Sequence, residues 1–167
     1  HTVVRRLTAE QLLDAQSQAT GVPLEFAGFP KGTRAGQMPL LKTGGRRERA
    51  ALDQLLVTFG KPPRQVPSEC ERSSEPAMTQ AFALISGPTL QDFIASPDNC
   101  LNAVLQSDTA PQARLDALFW RVLGRAPTAA EQTRLAPMLQ GTPEHCRPAA
   151  EDLLWSLLNA KEFVLRH

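Results

Sequence analysis

Apolar residues recur at i, i+3, i+4 and i+7 along much of this chain, the spacing that lines one face of an α-helix. Leu52, Leu55, Leu56 and Phe59 follow it in one segment, Met78, Ala81, Phe82 and Ile85 in a second, and Leu115, Leu118, Phe119 and Val122 in a third. The stretch from about Ala149 to Leu165 carries Leu153, Leu154, Trp155, Leu157, Leu158, Phe163, Val164 and Leu165 around most of a helical circumference. A helix apolar on nearly every side is expected at the centre of a core. The Leu and aromatic side chains of these segments read as core packing.

Polar punctuation divides the segments. Thr109-Ala110-Pro111-Gln112 and Thr128-Ala129-Ala130-Glu131 read as capping boxes, in which the Thr hydroxyl and the Gln or Glu side chain satisfy orphan amides reciprocally. Ser96-Pro97 and Thr142-Pro143 read as an N-cap followed by proline at the first helical position. Gly60, Gly87, Gly124 and Gly141 each follow an apolar run and read as helix stops. Two stretches refuse the helical pattern: Thr20 to Gly45, and Gly60 to Ser74 with Pro62, Pro63 and Pro67. Their glycine and proline content predicts two long ordered loops, about 20–45 and 60–74, of a length uncommon unless functional or bound to a neighbour.

Composition sharpens the fold class. Leu and Ala together number 45 against 10 Val plus Ile, with no Tyr, a bias toward helix over strand. The expectation is an all-α architecture, a single helical domain over 1–167 with about seven helices. A chain of 167 residues with 42% hydrophobic and 21% charged residues can bury a self-supporting core without metals or staples. No run approaches the ~20 apolar residues of a membrane span.

Charge excludes one partner class. Residues 1–72 carry a net +4 and residues 73–167 a net −3, within the overall +1, which is far from the basic stripe of a nucleic-acid binder. The chain opens His1-Thr2-Val3-Val4-Arg5-Arg6 without a signal peptide, and reads as a mature product or an excised piece.

Familiar chemistry is absent from the spacing. His1, His145 and His167 form no zinc-binding pair, there is no Cys-x-x-Cys-His haem attachment, and no nucleophile elbow, phosphate loop or dinucleotide fingerprint occurs. Neither a cofactor nor a metal is expected. Cys70, Cys100 and Cys146 are too widely spaced for a metal pair or a dense disulfide framework, and Cys70 reads as a structural cysteine rather than a nucleophile.

Two polar clusters remain as candidates. In Glu69-Cys70-Glu71-Arg72-Ser73-Ser74-Glu75-Pro76, Ser74 can cap a helix, Glu75 suits its positive end and Pro76 its first turn. Glu71 and Arg72 are not needed for capping, and form either an internal salt bridge that pins the loop or part of a ligand-binding surface. In Gly32-Thr33-Arg34-Ala35-Gly36-Gln37-Met38-Pro39 the alternatives are a docked loop, with Arg34 paired to a carboxylate at the core edge, and a binding loop.

Several segments taken in order carry a family resemblance: Arg5 to Ala15, Gly-Thr-Arg-Ala from Gly32, Thr58-Phe59-Gly60-Lys61-Pro62, Cys70 to Pro76, and Leu154 to Phe163. From Arg5 to the C-terminus the chain resembles the C-terminal part of the planctomycete-specific domain of unknown function, found in large exported proteins commonly alongside a planctomycete-type cytochrome c domain. The resemblance implies export to the periplasm or cell surface, and a scaffold or interaction role beside other domains of the same parent, a cytochrome c domain among them. The alternative is an accessory part of a carbohydrate-active or redox-coupled enzyme, with Arg34, Glu71 and Arg72 completing a site formed with neighbouring domains. Family members often carry a further cysteine two residues before the position of Cys70, where this chain has Ser68. Export would permit oxidation, and Cys100 and Cys146 each fall near the start of a predicted helix outside the family-like motifs. The bridge expected, if any forms, joins these two, closes a loop of roughly 45 residues, and leaves Cys70 free.

Overall fold

The computed structural model describes residues 5–26, 29–37, 87–106 and 110–166, and they form an all-α architecture closed by one short strand pair. Along the chain come β1 (Arg5–Arg6), α1 (Ala9–Thr20), a 3-10 turn (Ala35–Gln37), α2 (Pro88–Ala95), α3 (Cys100–Gln106), α4 (Pro111–Leu123) and α5 (Ala129–Leu135). A second 3-10 turn (Ala136–Leu139), α6 (Pro143–Leu158), the single turn α7 (Lys161–Val164) and β2 (Leu165–Arg166) complete it. The segments at Leu52–Phe59 and Met78–Ile85, and the predicted loop 60–74, lie outside the described residues.

The helix starts follow local chemistry. Thr8 caps α1 with a complete box: its hydroxyl accepts from the Gln11 amide at 3.3 Å, and the Gln11 side chain accepts from the Thr8 amide at 3.1 Å. The box predicted at Thr128 is present, with Glu131 accepting from the Thr128 amide at 2.6 Å. Thr142 caps α6 by accepting from the His145 amide, with Pro143 at the first position. Gly21 and Gly124 end α1 and α4 in the left-handed conformation, φ 80° and 69°.

Four expectations are corrected. The residue before α4 is Ala110, with no side-chain cap, so proline at the first position starts that helix without a hydroxyl. Ser96 ends α2 rather than starting a helix, its Oγ accepting from the Asp98 amide in the intervening turn; Asn99 then serves α3, accepting from the Leu101 amide at 3.1 Å. Gly87 has φ −65°, extended rather than the left-handed conformation of a closing glycine, and it starts α2. Finally, the last helix, which begins at Pro143 as its cap predicts and carries the exposed Pro148 within it, does not continue to about Leu165 but stops at Leu158. There the Asn159 side chain donates to the Trp155 carbonyl, and extended Ala160 restarts the chain as α7.

Packing gathers these elements around α4 and α6. Leu115, Leu118, Phe119 and Val122 of α4, and Ala150, Leu153, Leu154, Leu157 and Leu158 of α6, are buried in one cluster with Leu12, Leu101, Leu105, Leu139 and Phe163. The 136–139 turn lies on α4, and α3 on α6. The chain ends are tied by β1 and β2, antiparallel with Arg5 opposite Arg166 and Arg6 opposite Leu165, and the Leu7 amide donates to the Val164 carbonyl. Among the described residues no helix is long and apolar enough to cross a membrane.

Candidate functional site

Of the predicted candidates, Arg34, Cys100 and Cys146 fall among the described residues. Cys70, Glu71, Arg72, Ser73, Ser74 and Glu75 lie outside the described residues. Arg34 is exposed, immediately before the 35–37 turn. The loop is docked, as one reading expected, but by backbone: the Asp14 carboxylate accepts from the Ala35 amide at 2.6 Å and the Gly36 amide at 3.0 Å, while Ala35 is buried against α1. Successive amides at the start of a turn converge readily on an anion, and here an internal aspartate supplies it.

Cys100 and Cys146 are both free and buried, so the bridge expected between them is not formed in this structure. Their surroundings differ. Cys146 sits in the first turns of α6 beside Gly141 and receives a contact from Nη1 of Arg114 at 3.8 Å. Cys100 opens α3 near Gly21. Burial pushes the Cys100 thiol up from its usual value, against the opposing pull of the nearby Arg121 guanidinium.

What the fold does bring together is a set of arginines on and just beyond α4. Arg114 is buried, with Nη1 donating to the carbonyls of Leu139 at 2.9 Å and Gly141 at 3.0 Å, and Nη2 donating to that of Leu105 at 3.1 Å. One guanidinium thus ties the end of α3 and the connection between the second 3-10 turn and α6 to α4. The planar fork of donors suits this, because a lysine ammonium is a compact point charge with less reach. Nε of Arg114 is buried without a hydrogen-bond partner.

Arg121, in the last turn of α4, donates from Nε to the Ala19 carbonyl at 2.7 Å and so fastens the end of α1. Arg125 forms a bidentate pair with Glu131 at 2.9 Å on each arm, reaches Glu162 from Nη2 at 2.9 Å, and lies 5.3 Å from the centroid of the Phe119 ring. That links the end of α4 to the start of α5 and to α7. Held by Arg125 and by the Thr128 amide, the Glu131 carboxyl drops to about 2 from its usual 4.5, while its two carboxylate neighbours raise the Arg125 guanidinium. A smaller pair, Arg147 with Glu151 at 2.7 Å, spans one turn of α6, and Arg147 also donates to the Asn102 side chain on α3.

None of these ties was singled out from the sequence. Arg114 did leave a trace, as a charge beside Leu115 and one turn before Leu118 on the apolar stripe of α4. Thr8 and Gln11 likewise stand at capping-box spacing. Among the described residues no group of three or more His, Cys, Asp or Glu side chains could hold a metal ion.

Residues 1–139 match a family model described as Protein of unknown function (DUF1553). The match ends before α6, whereas the resemblance read from the sequence continued to the C-terminus. No curated protein and no solved structure matches the chain.

Proposed function

The chain belongs to the family described as Protein of unknown function (DUF1553), and from that premise we propose that it is a helical scaffold or interaction domain of a larger exported protein of planctomycete type. Its partners in this reading are other domains of the same parent, a cytochrome c domain among them. The observation that carries the reading is how the charged groups are used. Arg114, Arg121, Arg125, Asp14 and Glu131 each hold one element of the fold to another. Catalytic sites instead keep titratable groups convergent on open space where a reacting atom can sit.

Fractionating source cells and probing with an antibody to this chain tests the proposal. The expected result is one species well above 18.2 kDa in the periplasmic or surface fraction, containing peptides from further domains. A species of 18.2 kDa confined to the cytoplasm would overturn it.

A further inference from the structure

We draw no further inference here: the strongest candidate, the exposed face of α4 that carries Trp120 with Ala113 and Ala117, carries nothing because nothing among the described residues shows what covers it.

Discussion

A methyl group added at Gly21 would lie 2.9 Å from Nη2 of Arg121, at a φ of +80°, whereas one added at Gly124, φ +69°, would meet nothing within 4 Å. Both substitutions force an L side chain into the left-handed region, at about 1 to 2 kcal/mol. Only the first also displaces the guanidinium that fastens α1. Gly21→Ala should therefore destabilise more than Gly124→Ala in chemical denaturation, and equal losses would remove Arg121 from the account. The thiols give a second residue-scale test. Cys100 and Cys146 are 7% and 1% exposed, and neither is bonded. Peptide mapping after alkylation should find both unmodified in the native protein and both labelled in denaturant. Rapid native labelling of either would contradict the burial described, and a disulfide joining them would contradict the free thiols. The positions of these cysteines were legible in the sequence, but their charged neighbours were not, because Arg114 and Arg121 reach them only through the tertiary fold.

Whether a helix start was legible depended on whether its cap is local. Thr128 with Glu131, and Thr142 with Pro143, satisfy amides within three residues, so the sequence contains the whole interaction. Ser96-Pro97 carries the same chemistry, yet the chain uses it for a turn and lets Asn99 start α3. Serine and asparagine offer the backbone either solution, and packing selects between them. The Glu131 cap also belongs to the ion pair with Arg125, and that makes it sensitive to acid. Its folded value of about 2 lies below the usual 4.5, so the unfolded chain takes up this proton first as pH falls. The contribution is complete above pH 4.5 and is lost between there and pH 2. With the pair about one-third exposed, solvent screening limits it to roughly 1 kcal/mol. Glu131→Gln should be less stable than the parent at neutral pH and should lose less on acidification. Parallel stability curves for the two proteins across that range would refute the coupling.

Across the whole molecule, the all-α class was readable because composition and the 3.6-residue repeat act locally and agree. The ties between elements were not, since they join positions far apart in sequence: Arg121 with Ala19, Arg125 with Glu162, Arg114 with Leu139. Nothing in the neighbourhood of α4 specifies those partners. The scaffold account therefore rests on Arg114 above all, a buried cation serving three carbonyls from two other parts of the fold. The most direct test is the thermal midpoint of Arg114→Lys beside the parent, with the exposed Trp120→Ser as a reference. Lysine keeps the charge but cannot serve all three acceptors, and each stranded carbonyl costs about 1 to 3 kcal/mol. The account predicts a fall of roughly 5 to 15 °C for Arg114→Lys and almost none for Trp120→Ser. An unchanged midpoint in Arg114→Lys would show that this arginine does not hold the fold, and would contradict the account.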